Sequence, residues 1–286
     1  MWRKKPRYWN TERESVRWRL DHRYNYVIEN PLDGALWDLP CIKRLLKRSV
    51  KDEPYGLIAK LISTSYCHYN SNSQKRTGFL TTLNDTQLSL PCPCHPCDRV
   101  AVDDGFRHTP WESLGTKERN SIPMALIGHF LQAWVAKVPV DKAMILIDVF
   151  AGFGSVRSAV EAWNEVEDRK ILLYDNDILR SRGALYDFDM GQFDLTFLEN
   201  LILKGDKLQT KDTVILFWLS TPCTTYSIAG LHKHRPKGCA PSELAITHDR
   251  MNTKLFAELH SLCHVEGVDV TQSGQGASSS SEPDSS

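Results

Sequence analysis

The chain has 286 residues, of which 41% are apolar and 24% charged, and its formal net charge is zero. This composition excludes fibrous and disordered chains and suffices for one α/β domain of ordinary size. No segment approaches the roughly 20 apolar residues that a membrane-spanning helix needs, so we expect no membrane partner.

The first 25 residues are rich in basic side chains, with eight Lys or Arg against three acids. Aromatic residues are interleaved with them: Trp2, Tyr8, Trp9, Trp18 and Tyr24. This composition is typical of an arm that contacts phosphates and stacks on bases, and equally of a solvated helix whose tryptophans pack on the body. We therefore separate an N-terminal arm, 1–23, from a domain at 24–266. The Ser-rich tail, 267–286, is predicted to be disordered.

Strands and helices are predicted in alternation along the chain. The predicted strands are 24–28, 57–69, 76–83, 143–150, 171–174 and 213–219. The predicted helices are 10–20, 121–135, 155–164 and 242–262. The strand at 143–150 is a nearly continuous apolar run, as expected of a strand that is buried on both faces. The order strand, glycine turn, helix, strand indicates a doubly wound α/β sheet.

Residues 84–118 are irregular and are predicted to form a small loop-rich insert. Possible zinc ligands in this insert are Cys92, Cys94, His95, Cys97 and His108. The preferred set is Cys94, Cys97 and His108 with one further ligand, and the alternative is a proline-rich loop with thiols that bind nothing. The chain's eight cysteines are too scattered for a disulfide framework, which favours a reducing, intracellular location, nuclear in a eukaryote.

A glycine turn follows the buried strand, in the block Asp148–Ser155. Glycines at this position let the backbone turn tightly and approach a ligand closely. Asp175 lies about 20 residues further on, where a carboxylate meets ribose hydroxyls in this architecture. The alternatives are a purely structural turn, and a helix cap or solvated charge for Asp175 and Asp177.

The most specific motif is Ser220-Thr221-Pro222-Cys223-Thr224-Thr225-Tyr226-Ser227-Ile228-Ala229-Gly230. It resembles the nucleophile loop of the cytosine-5 methyltransferases, written Pro-Cys-Gln-x-Phe-Ser-x-Ala-Gly. Thr224 replaces the usual Gln, and Tyr226 stands for the Phe. The alternative is a buried structural cysteine.

Further blocks resemble the same family. Asp148–Ser155 is similar to its cofactor-binding block, which assigns Asp148, Phe150, Gly152, Gly154 and Asp175 to S-adenosylmethionine. Glu29-Asn30-Pro31 resembles the catalytic glutamate block, in the form associated with phage-type and virus-type DNA methylases. Gln74 and Arg76 resemble the Gln-x-Arg-x-Arg block, with Gly78 in place of the second Arg. Asn120–Pro123 resembles the block that ends the family's catalytic domain, which assigns Asn120 to the cofactor, with a helix N-cap as its alternative role. Asp249-Arg250 resembles the family's helix before the glutamate strand.

The blocks stand in an order that differs from the family's, because the last three come first. The usual last helix packs beside the first strand, and here about eight residues, Val135–Lys142, join the two. Circular permutation is tolerated where chain ends lie close together. The resemblance therefore implies a Rossmann-like S-adenosylmethionine-dependent methyltransferase fold, circularly permuted, with a small loop-rich insert.

The resemblance also implies a mechanism, in which a Cys223 thiolate adds to carbon 6 of cytosine and makes carbon 5 nucleophilic. Glu29, which must hold a proton to donate, would contact ring N3 and the amine, with Gln74 and Arg76 beside it. The expected partner is DNA, with RNA as in the tRNA-methylating branch as the alternative, and the expected state is a monomer. A third possibility is a catalytically silent module that binds cofactor or nucleic acid. We expect Cys223 and Glu29 to face one cleft at the carboxyl ends of neighbouring strands.

Overall fold

The computed structural model describes the folded domain with several gaps. The described residues are 24–46, 59–71, 73–83, 86–89, 91–92, 101–102, 105–106, 108–109, 113–177 and 212–263. The predicted arm at 1–23, the helix predicted within it, and the tail at 267–286 lie outside them.

Eight strands and six α-helices lie in the described part of the chain. The strands are β1 Asn25–Pro31, β2 Lys60–Ser65, β3 Arg76–Thr81, β4 Ala101–Val102, β5 Gly105–Phe106, β6 Ala143–Asp148, β7 Ile171–Asp175 and β8 Thr213–Ser220. The helices are α1 Pro40–Leu46, α2 Thr116–Asn120, α3 Met124–Val135, α4 Ser155–Val166, α5 Ile228–His234 and α6 Glu243–Cys263. Two short 3-10 helices span Ala35–Asp38 and Tyr66–Tyr69.

Six of the strands form one mixed sheet in the order β2-β3-β1-β8-β6-β7. The neighbours β1 and β8, β8 and β6, and β6 and β7 are parallel. Only β3 is reversed, because it pairs antiparallel with both β1 and β2. The fold is therefore α/β with a mixed sheet, compatible with a Rossmann-like architecture. Strands β4 and β5 form a separate small hairpin.

Helices cover both faces of the large sheet, so its central strands are apolar throughout. On one face, Ile145, Ile147 and Phe217 pack in a buried cluster with residues of α1 and α6. On the other face, Leu146 and Trp218 pack in a second cluster with α3 and α4. Because side chains alternate along a strand, each central strand contributes to both cores. This fixes which side chains share a face where the strands end.

The predicted strands and helices within the described residues are confirmed, with small shifts of their ends. One correction falls at 66–69, which we predicted as the end of a strand and which forms a 3-10 turn. A second correction concerns the helix predicted over 121–135, which begins at Met124 with Pro123 as its N-cap residue. Across the ranges described, no helix has the length and hydropathy that crossing a membrane requires.

Candidate active site

The direction of winding reverses between β6 and β8. From β6 the chain passes through α4 to β7 on one side, while β8 pairs with the other side of β6. In open α/β sheets, ligands bind in the crevice at the carboxyl ends of the strands at such a switch point. The glycine loop leaves β6 at this edge, and the Cys223 loop leaves β8 beside it.

The glycine loop depends on two residues with a left-handed backbone. Gly152 has φ +52° and Gly154 has φ +75°, conformations that side chains other than glycine rarely adopt. The Gly152 amide donates to Oδ2 of Asp177 at 2.8 Å, and Gly154 donates to the carbonyl of Ala151 at 2.8 Å. The loop is therefore held by its neighbours while it presents backbone to the crevice.

Three carboxyl groups lie at the ends of β6 and β7. Asp148 is paired in register with Asp175, and Asp177 follows two residues later. Arg157 of α4 donates to Oδ2 of Asp175 from Nε at 2.8 Å. Asp175 is the residue that we predicted to contact a ribose, and its carboxylate accepts from Arg157. Asp177 is the carboxylate in contact with the glycine loop.

Asp148 is 1% exposed and ends β6, in which every residue after Ala143 is buried. Among the described residues, neither of its carboxylate oxygens meets a hydrogen-bond donor at bonding distance. Burial, followed by repulsion from Asp175 and Asp177, raises the pKa of Asp148 well above its usual value, although the nearby Phe150 amide opposes this shift. Asp148 is thus an unsatisfied buried acid at the switch point.

The block Asn120–Pro123 lies against the glycine loop through its backbone. The amide of Ile122 donates to Oγ of Ser155, the first residue of α4, at 3.0 Å. The exposed side chain of Asn120 donates to the carbonyl of Thr116 at 2.9 Å. This block therefore adjoins the glycine loop as expected, while the Asn120 amide is engaged by its own helix.

The Cys223 loop is attached to the end of β1. Nδ2 of the fully buried Asn30 donates to the carbonyl and to Oγ1 of Thr221, at 3.2 and 3.0 Å. The amides of Tyr226 and Ser227 both donate to the carbonyl of Cys223, at 3.0 and 2.8 Å. The turn that carries Cys223 is thus held by backbone groups and leaves its thiol partly exposed.

A polar network locks the far side of this loop to α6. The buried Tyr226 hydroxyl donates to Oδ1 of Asp249 at 2.8 Å and accepts from Nδ2 of Asn252 at 3.0 Å. Arg235 forms a two-pronged ion pair with Asp249, at 2.9 and 2.6 Å, and donates from Nε to the carbonyl of Thr225 at 3.0 Å. Such bidentate pairs hold geometry well. The Tyr226 hydroxyl therefore anchors the loop to α6.

Glu29 lies in a pocket at the carboxyl end of β1, opposite Ser220 in the parallel register with β8. Its side chain is 7% exposed, and Oε1 accepts from the Tyr66 hydroxyl at 3.1 Å and contacts Nζ of Lys75 at 3.5 Å. Burial disfavours charge on Lys75, but Glu29, Tyr66 and Cys223 outweigh burial and raise the pKa of Lys75. Burial, reinforced by Glu29, likewise raises the pKa of Tyr66, so both groups remain proton donors.

Cys223 lies within the electrostatic field of this pocket. Burial raises the pKa of the Cys223 thiol above its ordinary value, the Lys75 ammonium opposes that shift, and the Glu29 carboxylate adds to it. Cys223 and Glu29 thus lie at the carboxyl ends of neighbouring parallel strands, with Lys75 acting on both. The resting thiol is protonated at neutral pH, so nucleophilic attack requires deprotonation.

Arg76, predicted beside Glu29, lies elsewhere. Its side chain is 48% exposed and pairs with Oδ2 of Asp33 at 3.6 Å. The reason is strand parity: Phe79 is directly opposite Glu29, and alternation puts Lys75 on the same face as Phe79 and puts Arg76 on the other face. Lys75 therefore occupies the position that we assigned to Arg76. The alternation of side chains along β3 could have identified Lys75, but only with knowledge of the register between β3 and β1.

Gly78 has a packing role. A Cβ there would lie 2.9 Å from the indole of Trp37, whose Nε1 donates to the carbonyl of Pro31 at 2.8 Å. The space that a larger side chain at position 78 would need is thus filled by Trp37. Gln74 donates from Nε2 to the carbonyl of Cys92 at 3.2 Å, which links the pocket to the insert and does not bring Gln74 to Glu29.

The predicted metal ligands are only partly described. Cys94 and Cys97 lie outside the described residues. His108 is described, and it lies with Cys92 and with Cys67, a residue that we had not considered as a ligand. Cys67 was missed because it is distant in sequence from the cysteine-rich stretch.

No protein-family model and no curated protein sequence matches this chain. The protein is an α/β protein with a mixed sheet that is compatible with a Rossmann-like fold. At the carboxyl edge of that sheet, a cysteine, a glutamate and a lysine lie beside a glycine loop at the switch point.

We expect two substitutions in the pocket to shift the pKa of the Cys223 thiol in opposite directions. Lys75→Met should raise the pKa of the thiol, and Glu29→Gln should lower it, because the ammonium favours the thiolate and the carboxylate disfavours it. Arg76→Met is the matched control and should leave the thiol unchanged, since Arg76 pairs with Asp33. Iodoacetamide alkylation of Cys223, followed by mass spectrometry over a pH series, reports the thiolate fraction. Shifts of the same sign in the two variants, or an Arg76→Met shift as large as that of Lys75→Met, would contradict this geometry.

Proposed function

We propose that this protein transfers a methyl group from S-adenosylmethionine to carbon 5 of cytosine in DNA, through a covalent adduct with Cys223. The observation that carries the proposal is that Glu29 and the Cys223 loop lie at the carboxyl ends of the parallel neighbours β1 and β8, with Lys75, which precedes the antiparallel strand β3, in contact with Glu29 and acting on the Cys223 thiol. A nucleophile beside a proton donor is the minimal set for addition across the 5,6 double bond of a pyrimidine.

The chemistry follows from these three groups. The Cys223 thiolate forms a bond to carbon 6, and the electron pair displaced from the double bond makes carbon 5 nucleophilic. Glu29 binds N3 and the exocyclic amine of the base, and Lys75 is the adjacent ammonium that can supply a proton and compensate negative charge. After the methyl group is in place, the carbon-5 proton is lost to a base from the solvent. Cleavage of the sulfur–carbon bond then restores the aromatic base and releases the Cys223 thiolate.

The residues at the switch point fit S-adenosylmethionine, which when bound supplies an electrophilic methyl group. A Cβ placed on Gly152 or Gly154 would lie 3.8 Å or more from its nearest neighbour, so there is open space beside both residues. A ligand can therefore approach the backbone of this loop without meeting a side chain. Asp148 offers an unsatisfied buried carboxyl group to a cationic ligand. Asp177 and the Arg157–Asp175 pair offer polar contacts to ribose hydroxyls.

The sheet is compatible with the permuted order that the motifs imply. The first described strand, β1, lies beside the last, β8, and both are parallel to β6. Tyr24, which precedes β1, and Leu259 of α6 belong to the same buried cluster. The helix that precedes the glutamate strand in the usual order, α6, therefore packs into the same core as that strand here. A permuted chain needs this proximity.

DNA is the preferred substrate because the Glu29-Asn30-Pro31 block resembles that of DNA methylases. The target base must leave its stack to reach a pocket where Glu29 is 5% exposed. RNA would use the same pocket, so the test must include both polymers.

The test is covalent trapping on 5-fluorocytosine, which has no carbon-5 proton to lose and so prevents release of the enzyme. Wild-type protein is mixed with labelled S-adenosylmethionine and matched DNA or RNA oligonucleotides that carry one 5-fluorocytosine. We expect a denaturant-resistant complex with DNA that contains the label. Trapping on RNA alone would move the assignment to an RNA methyltransferase. Trapping on neither polymer, with cofactor binding intact, would identify a silent module.

A further inference from the structure

A compact group of sulfur and nitrogen ligands lies apart from the pocket. The sulfur atoms of Cys67 and Cys92 and a ring nitrogen of His108 all lie within 4.8 Å of one another, and the three residues are buried. Sγ of Cys92 is 3.8 Å from Nε2 of His108. Two thiols and one imidazole are the donors that zinc prefers, and a tetrahedral zinc ion separates its ligand atoms by roughly 3.3–3.8 Å. The observed spacing therefore needs little contraction around an ion.

The local structure holds these ligands in place. The Cys92 amide donates to Oγ of Ser65 at 2.9 Å, and its carbonyl accepts from Gln74 at 3.2 Å. Cys67 lies in the 3-10 turn that follows β2, so Ser65 ties Cys92 to the chain segment that carries Cys67. Neither cysteine forms a disulfide. Preorganised ligands from separate parts of the chain are what a structural metal site requires.

The need for such a site is clear from the elements around His108. The hairpin of β4 and β5, which precedes His108, has strands of only two residues each. Strands this short bury little apolar surface and cannot hold a segment by themselves. A metal ion that joins His108 to Cys67 would attach this region to the main sheet.

We propose that Cys67, Cys92 and His108 bind one zinc ion, which fastens the insert to the turn after β2. The ion is structural, because its three protein ligands are buried. It also positions the pocket, since Cys67 directly follows Tyr66, whose hydroxyl donates to Glu29. This site does not depend on methyl transfer, and it differs from the Cys94, Cys97 and His108 set that local sequence spacing favoured.

The experiment measures metal in the whole protein. Protein purified without chelator should contain about one zinc ion per chain, and exchange with cobalt should give a sulfur-to-cobalt charge-transfer band. Cys67→Ser, Cys92→Ser and His108→Ala should each lower zinc affinity by about tenfold or more. Cys239→Ser is the matched control, since Cys239 is exposed and distant in sequence, and it should retain the ion.

Removal of the ion gives a second readout that does not require the variants to fold. A zinc chelator should lower the melting temperature of the wild-type protein, and added zinc, but not magnesium, should restore it. The proposal is overturned if wild-type protein supplied with zinc remains metal-free. It is also overturned if the Cys67 and Cys92 variants keep wild-type affinity, or if thiol counting finds these two cysteines oxidised to a disulfide. None of these outcomes depends on whether the protein methylates DNA.

Discussion

Replacing Cys223 by alanine is expected to lower methyl transfer by about 10⁴-fold or more, to the background rate. Carbon 5 of cytosine is a poor nucleophile until a thiolate has added to carbon 6, and the proposed mechanism gives that role to Cys223 alone. Lys75 and Glu29 can orient the base and move protons, but neither can replace the covalent bond. Trapping on 5-fluorocytosine DNA should disappear in the same variant.

The loss should reflect chemistry and not unfolding. The turn at Cys223 is held by hydrogen bonds to its backbone carbonyl and by the Tyr226 side chain. The substitution of the Cys223 side chain removes neither of these. Cys223→Ala should therefore keep its affinity for S-adenosylmethionine and its melting temperature. Cys239→Ser, at an exposed cysteine, should transfer methyl groups at the wild-type rate. Transfer by Cys223→Ala within tenfold of wild type, assayed with labelled cofactor, would exclude the covalent mechanism.

The sheet was largely predictable because its strands have strong local signals. The apolar runs at β6 and β8 reflect burial on both faces, which the pattern of residues records directly. Each run ends at a change to polar or glycine residues, which placed the glycine loop and the Cys223 loop at strand ends. The neighbour of each strand in the sheet was harder to predict from the sequence, because strand pairing joins residues that are far apart in sequence.

Within the pocket, local motifs located Glu29 but misplaced its cationic partner. Arg76 and Lys75 are adjacent in sequence, and only the register of β3 against β1 decides which of them faces Glu29. A shift of one residue exchanges the two faces of a strand, so a motif without a register cannot separate these neighbours. Tyr66 was missed for a similar reason, because the turn that aims its hydroxyl at Glu29 interrupts a strand-like sequence.

The candidate metal ligands were also mispredicted from the sequence, here because the residues that meet are far apart along the chain. Spacing within Cys92–Cys97 favoured ligands that are close in sequence, whereas the structure brings Cys92 to Cys67, which is 25 residues earlier. That contact depends on the hydrogen bond from Cys92 to Ser65, a tertiary contact with no sequence signature.

Gly230→Ala is expected to destabilise the protein by about 1–3 kcal/mol or more and to displace Cys223. A Cβ at position 230 would overlap the carbonyl of Thr224, the residue directly after Cys223. The contact is with backbone, so relief requires movement of α5 or of the loop itself. The Ala-Gly pair in the nucleophile motif thus has a steric reason in this fold: the helix that follows the cysteine must approach the loop closely. Either movement would also weaken the contacts that Tyr226 makes with Asp249 and Asn252.

Gly128→Ala provides the matched control because Gly128 lies within α3, where a Cβ would meet nothing within 4 Å. Alanine there should stabilise the protein by about 0.5–1 kcal/mol, because glycine is the poorer helix former. Urea denaturation of both variants should thus give shifts of opposite sign, and 5-fluorocytosine trapping should fail only in Gly230→Ala. If Gly230→Ala is as stable as wild type and still traps, the helix does not constrain the loop. The position of Cys223 would then be set by its contacts with β1 and α6 alone.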